Sequence, residues 1–288
     1  MLLKNGGTPA RPAVKVALAM HASPAAPSAA RDRRRPLRYL VRVPLLLLHI
    51  LLAPLLAVVV ALLPAHSARD ARHEPLAHRI VRWWSARLLH IFGMKVRCVG
   101  EPLADPVLFV ANHVSWLDIE LLHTQRAACF VAKAEIADWP LVGWLAARAG
   151  TLFHRRGSTH SLGAVMAVMV ERLRQGRAVA VFPEGGIDHA GSAYRVRTFH
   201  ARIFQAALDA SVPVQPVALA YRRDGVLWEG ATFLPGESFL GNFIRLLGEL
   251  GPDAEVTFLA PVVASGDGRR RQAEAARDAI ATHLEQHP

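Results

Sequence analysis

The pattern of apolar positions divides the chain into three stretches. Residues 1 to about 37 are rich in Ala, Pro, Ser and Gly and keep no apolar period, which predicts an unstructured tail. Val43 to Pro64 then reads VPLLLLHILLAPLLAVVVALLP, with no formal charge and one histidine, His49. As a straight helix this segment would span about 33 Å, the thickness of a bilayer core. Pro54 removes a backbone hydrogen bond part-way and favours a kink. Residues 75–93 place apolar side chains on one helical face and arginines on the other, with Trp83 and Trp84 suited to the headgroup level. The same pattern suits a core helix that opens a globular domain.

From about residue 94 short apolar runs alternate with helical periods. Strands are predicted at 96–100, 106–112, 128–133, 150–155, 178–183, 214–221 and 255–263. Helices are predicted at 117–124, 138–148, 159–175, 198–210 and 239–250, with a charged helix at 269–286. This alternation predicts an α/β fold, a central mostly parallel sheet flanked by helices, behind an N-terminal membrane-associating helical segment. The implied division is a basic tail at 1–37, anchoring helices at 38–93 and a globular domain at 94–288.

Composition narrows the class. The 288 residues are 52% apolar, which excludes a disordered or fibrous chain and leaves ample material for a core. Lys and Arg number 34 against 23 Asp and Glu, a balance that suits an anionic partner. The run RDRRRPLR at 31–38 adjoins the apolar segment and reads as an anchor for anionic lipid headgroups. No aromatic interleaving or recognition motif supports a nucleic-acid partner. Cys98 and Cys129 are too few for a disulfide framework or a cysteine-rich zinc module.

The flanking charges bear on topology. Nine Lys or Arg residues precede Val43, and four Arg lie between Ala65 and Ser85. The positive-inside rule puts the richer side in the cytoplasm, so a single span would place the rest of the chain outside. Both flanks are basic, which favours a re-entrant hairpin or monotopic segment that keeps both on one face.

Three constellations fall at the ends of predicted strands, where α/β sheets build their sites. The first is NHVSWLD, Asn112 to Asp118. The His-x4-Asp spacing returns the Asp118 carboxylate to the His113 imidazole across one helical turn. Asp118 can then fix one ring nitrogen and leave the other as a general base. No G-x-S-x-G elbow occurs, so the hydroxyl to be activated is expected to belong to a substrate. Ser115 reads as a helix cap. The second is FPEGG, Phe182 to Gly186, a tight turn after an apolar strand, where an unpaired Glu184 would be costly. The third is GTLFHRRG, Gly150 to Gly157, whose Arg155 and Arg156 suit an oxyanion. VPVQPV, Val212 to Val217, marks only a rigid strand boundary. The remaining histidines show no zinc spacing.

Taken in order, NHVSWLD, GTLFHRR, FPEGG and VPVQPV resemble the four motif blocks of the glycerolipid acyltransferase family, which includes the 1-acylglycerol-3-phosphate acyltransferases. The resemblance covers roughly residues 80–265. It implies His113 as general base and Asp118 as its holder. It implies an acyl-CoA or acyl carrier protein donor, a lysolipid acceptor, and no metal or redox cofactor. Arg155 takes the position of an acceptor-phosphate arginine, and Glu184, Gly185 and Gly186 that of the acceptor-binding block. Pro213 and Pro216 fall in the block linked to the acyl donor and to apolar packing. The implied location is the cytoplasmic face of the cell membrane, among its phospholipids.

The run EGGIDHAG departs from the family, which usually carries Thr after EG. A hydroxyl is lost at Gly186 and an acid gained at Asp188. The reading expected first is 1-acylglycerol-3-phosphate to phosphatidate. The WLDIE and AKAEIADWP stretches look more like the relatives that acylate lyso-ornithine lipid, which stands as the alternative acceptor. A non-catalytic lipid-binding protein is the third reading, and retention of both His113 and Asp118 weighs against it.

Overall fold

The computed structural model describes residues 32–62, 75–104, 106–139, 142–148, 150–155, 159–187, 192–262 and 268–288. Most of the expected tail therefore lies outside the described residues, as do Arg156, Asp188 and His189. Two helices open the described chain, α1 (Arg35–Leu62) and α2 (Leu76–Ile91). The strands that follow are β1 (Lys95–Val99), β2 (Leu108–Ala111), β3 (Cys129–Lys133), β4 (Leu152–His154), β5 (Val179–Val181), β6 (Val214–Arg223), β7 (Val226–Leu227) and β8 (Asp253–Phe258). Between them lie α3 (Leu117–Gln125), α4 (Val142–Arg148), α5 (Thr159–Arg174), α6 (Gln205–Ala210) and α7 (Phe239–Gly248), and α8 (Gly268–Gln286) closes the chain.

Among the described residues the sheet order is β1-β8-β6-β2-β5-β3-β4, with β7 hairpinned onto β6. The β2, β3, β4, β5 and β6 strands run parallel, while β8 and its parallel neighbour β1 run against them. The sequence explains the centre. β2 and β5 are buried along their whole length, as are the first eight residues of β6. Continuous apolar runs of this kind need helices on both faces. Phe109, Phe130, Phe204, Leu117, Leu121 and Met169 fill the core between them. The five parallel strands deliver their carboxyl ends to one edge, where His113 follows β2, Arg155 follows β4 and Glu184 follows β5.

One expectation is corrected. α1 runs without a break through Pro44 and Pro54, so the hairpin expected within 43–64 does not form over the described residues. Pro54 costs one backbone bond, but the Leu- and Ala-rich turns on either side propagate the helix past it. Leu46, His49 and Ala53 form the buried stripe of α1, and the His49 ring stacks on Trp84 of α2 at 3.6 Å. Leu40, Leu47, Leu48, Leu51 and Leu55 remain exposed along a helix long and apolar enough to cross a membrane.

Part of the basic run has a structural partner. Arg38 Nε donates to the Gly248 carbonyl at 2.7 Å, and Arg42 Nη1 donates to the carbonyls of Leu247 (2.9 Å) and Glu249 (2.6 Å). These two guanidinium groups sit at the C-terminus of α7, where unpaired carbonyls and the helix dipole favour cations. Arg38, from the run expected to meet lipid headgroups, and Arg42 just beyond it thus dock α1 on α7.

Arg245, in the last turn of α7, reaches back to form two hydrogen bonds to the Glu237 carboxylate just before the helix, at 2.8 and 2.9 Å. That contact, against the opposing effect of burial, holds the Glu237 carboxyl down at about 2. The stabilisation is present above the ordinary carboxylate range and disappears as pH falls from about 4.5 through about 2. Glu237→Gln is expected to lower thermal stability at pH 7, and its deficit against the parent chain should shrink as melts are taken towards pH 3. Asn112, buried at the end of β2, donates to the Leu219 carbonyl (2.9 Å) and accepts from the Leu219 N–H (2.8 Å) of β6. Asn112→Ala leaves both groups unpaired and should cost about 2–4 kcal/mol in urea unfolding.

Candidate active site

The local chain at the end of β2 explains the first constellation. β2 emerges between β5 and β6, and the turn 112–116 leads into α3. Asp118 lies in the first turn of α3 and is fully buried. Its Oδ2 accepts from the backbone N–H groups of Val114 (2.7 Å) and Ser115 (2.9 Å) and lies 2.9 Å from His113 Nδ1. Its Oδ1 accepts from the Tyr221 hydroxyl at 2.7 Å. A carboxylate only accepts, so Nδ1 carries a proton, and in the neutral ring Nε2 then keeps its lone pair. The ring is held flat against Phe182, with centroids 4.0 Å apart and planes 9° apart.

Glu184 adds a second tie. Its Oε1 accepts the His113 backbone N–H at 3.0 Å. Its Oε2 accepts from the Arg197 backbone N–H (3.0 Å) and from Arg197 Nε (3.2 Å). Arg197 also donates to the Gly186 carbonyl. The buried charge of Glu184 is therefore paired, and the pairing draws residues 192–200 against the end of β5. Gly185 turns the chain at φ +80°, and a Cβ there would come within 3.1 Å of His200 Nε2.

The other expected residues are placed apart. Arg155 lies at the end of β4, three strands from β2 in the sheet order, with its backbone N–H donating to Ser161 Oγ at 2.9 Å. It shares the edge but makes no hydrogen bond or ion pair to His113, Asp118 or Glu184 among the described residues. Pro216 pairs in register with Val110 in mid-sheet, and the Pro213 carbonyl accepts from Leu108 N–H at the start of β2. Leu108 lies five residues before His113, on the order of 16 Å along the chain, and Val110 three residues, on the order of 10 Å. Pro216 is therefore a strand residue of β6 and Pro213 stands just before that strand, and neither makes a hydrogen bond to His113, Asp118 or Glu184 among the described residues.

Two contributors carried little signal in the sequence. Arg197 belongs to none of the motifs in the sequence. Tyr221 ends a buried apolar run, and a phenol there must find a partner. Tyr194 binds the Tyr221 backbone, its hydroxyl accepting the N–H at 2.9 Å and lying 3.0 Å from the carbonyl. Burial pushes both phenols well above the ordinary range, with the Asp118 charge adding to the effect, so both stay protonated.

A fixed His–Asp pair whose Nε2 makes no hydrogen bond among the described residues suits activation of a hydroxyl that comes from outside. The comparisons with known proteins agree. The family model described as Acyltransferase matches residues 95–220. The chain is 44% identical over 207 residues to the lyso-ornithine lipid O-acyltransferase of Pseudomonas aeruginosa, covering 72% of this chain and 78% of that one. This chain belongs to the glycerolipid acyltransferase family. The acyltransferase is also 38% identical over 126 residues to a 1-acyl-sn-glycerol-3-phosphate acyltransferase of Neisseria gonorrhoeae, covering 43% of this chain and 48% of that one. Its fold matches the crystal structure of the 1-acyl-sn-glycerophosphate acyltransferase PlsC from Thermotoga maritima, with a TM-score of 0.61. That match covers 88% of this chain and 96% of the other at 20% identity, a likeness of fold.

The turn after Glu184 gives a direct test. Gly185→Ala combines a left-handed backbone with a side chain crowding His200, and should lower stability by about 1 kcal/mol and slow acyl transfer. Thermal melts beside initial rates check both effects.

Proposed function

We propose that the acyltransferase moves a fatty acyl group to the free hydroxyl of lyso-ornithine lipid. His113 Nε2 takes the hydroxyl proton as the oxygen attacks the thioester carbonyl of acyl-CoA or acyl carrier protein. The tetrahedral intermediate collapses by breaking the carbon–sulfur bond, and the proton held on His113 passes to the leaving thiolate. Asp118 keeps Nδ1 protonated and offsets the charge on the imidazolium. Glu184, Gly185 and Gly186 form the turn beside the acceptor. A thioester is already activated, so the step asks for no metal or redox cofactor.

The observation that carries the reading is the buried Asp118 holding His113 by Nδ1 at 2.9 Å. The acceptor is supported by the 44% identity to the Pseudomonas aeruginosa relative over most of both chains, and by Gly186 in place of the usual Thr. Phosphatidate synthesis from 1-acylglycerol-3-phosphate is the second reading. It is favoured by the Neisseria relative and by Arg155 at the same sheet edge. The exposed apolar side of α1 supports a membrane position.

The test is acyl transfer by the full chain in lipid, with acyl-CoA and acyl carrier protein donors and both lysolipids. Lyso-ornithine lipid should be turned over faster than lysophosphatidate, and His113→Ala should lower kcat by about 100-fold or more. Turnover of lysophosphatidate in preference would exchange the acceptor and keep the mechanism. Undiminished transfer by His113→Ala would sink the mechanism.

A further inference from the structure

Three features place Tyr221 in the acid–base machinery. Its hydroxyl donates to Asp118 Oδ1 at 2.7 Å, the oxygen that the imidazole and the backbone amides leave free. It sits on β6, beside β2, so it reaches the carboxylate from the side of the sheet away from β5. Its backbone is clamped, because the Tyr194 hydroxyl accepts its N–H and Leu219, two residues earlier, is bound at both backbone groups by Asn112. The phenol is fully buried and its aim is fixed.

We propose that Tyr221 is a positioning residue for acyl transfer, acting on His113 through Asp118. The inference rests on the reading of His113 as general base. A donor on Oδ1 takes up part of the carboxylate charge, which would otherwise fall entirely on the imidazole side. It also stops the carboxylate from rotating away from Nδ1. The phenol thereby sets two properties of His113, its orientation and how firmly it keeps a proton once it has taken one. A base that holds the proton too firmly is charged, and useless, over more of the working pH range.

The groups that face this pair are few. Asp118 comes from α3 and Tyr221 from β6. Glu184, after β5, binds the His113 backbone N–H and is itself paired with Arg197. Tyr194 lies behind Tyr221, and the Phe182 ring against His113 is uncharged. Of these, Tyr221 is the proton donor to Oδ1.

Tyr221→Phe deletes one oxygen and keeps the ring. Its kcat for the preferred lysolipid should fall about tenfold, a part of the ~100–10,000-fold that a general base supplies. KM for donor and acceptor should stay within about twofold, because the phenol touches neither. The acid limb of kcat/KM should move to higher pH by roughly half a unit, since the freed carboxylate charge holds the proton on His113 more tightly. Replacing Tyr221 by 3-fluorotyrosine, a stronger donor of nearly the same shape, should move that limb to lower pH. Thermal melts accompany both variants, and if Tyr221→Phe does not fold the fluorotyrosine chain decides. An unmoved acid limb in a folded variant, or a rise in KM with kcat unchanged, would overturn the role of Tyr221. A parent chain that transfers no acyl group to any lysolipid overturns the functional reading itself, and with it this role.

Discussion

A carboxylate with no access to water is the constraint on which the site depends. Removing such a charge from solvent costs several kcal/mol unless donors surround it. Asp118 meets that cost with four donors: two backbone amides, an imidazole N–H and a phenol. These donors come from the turn after β2 and from β6, while the carboxylate belongs to α3. The charge can be satisfied only when sheet and helix have come together. Catalytic geometry and folding are thus joined at one side chain.

Glu184 repeats the device at the end of β5. One oxygen binds the His113 backbone and the other binds Arg197. The imidazole is therefore fixed through its ring by one acid and through its backbone by another, with Phe182 stacked on its face. The two acids do different work. Asp118 governs the proton on Nδ1, whereas Glu184 anchors the peptide and the turn at Gly185. Neither acid needs to touch the substrate to matter for the reaction.

Contacts run without a gap from the apolar helix to this pair. Arg38 and Arg42 of α1 bind the C-terminal carbonyls of α7. On α7, Asn242 accepts from Trp116 Nε1 at 3.0 Å, and Phe243 stacks on the Trp116 ring. Trp116 stands two residues before Asp118. The order along this path is lipid-suited surface, docking arginines, aromatic cluster and buried acid. A helix suited to a membrane is in this way packed one element away from the dyad.

Much of this was legible in the chain itself. The seven apolar runs became strands and the helical periods became helices, because continuous burial and a 3.6-residue period leave few alternatives. A short edge hairpin strand, β7, carries too little apolar content to be seen. The His-x4-Asp pairing was also legible, since the spacing acts within one helical turn. Of the two forms favoured for 43–64, the hairpin does not form over the described residues because one proline weighs less than the apolar turns around it. Arg38, in the run read as a lipid anchor, and Arg42, counted only as a flanking charge, have partners more than 200 residues away, beyond the reach of local pattern. Tyr221 and Arg197 also reach their carboxylates across the fold, from 103 and 13 residues away, and no motif marks either. Local spacing determined the elements and the His113–Asp118 pair with its two backbone donors; the phenol on the other oxygen of Asp118 was decided by strand order, which no single stretch of sequence encodes.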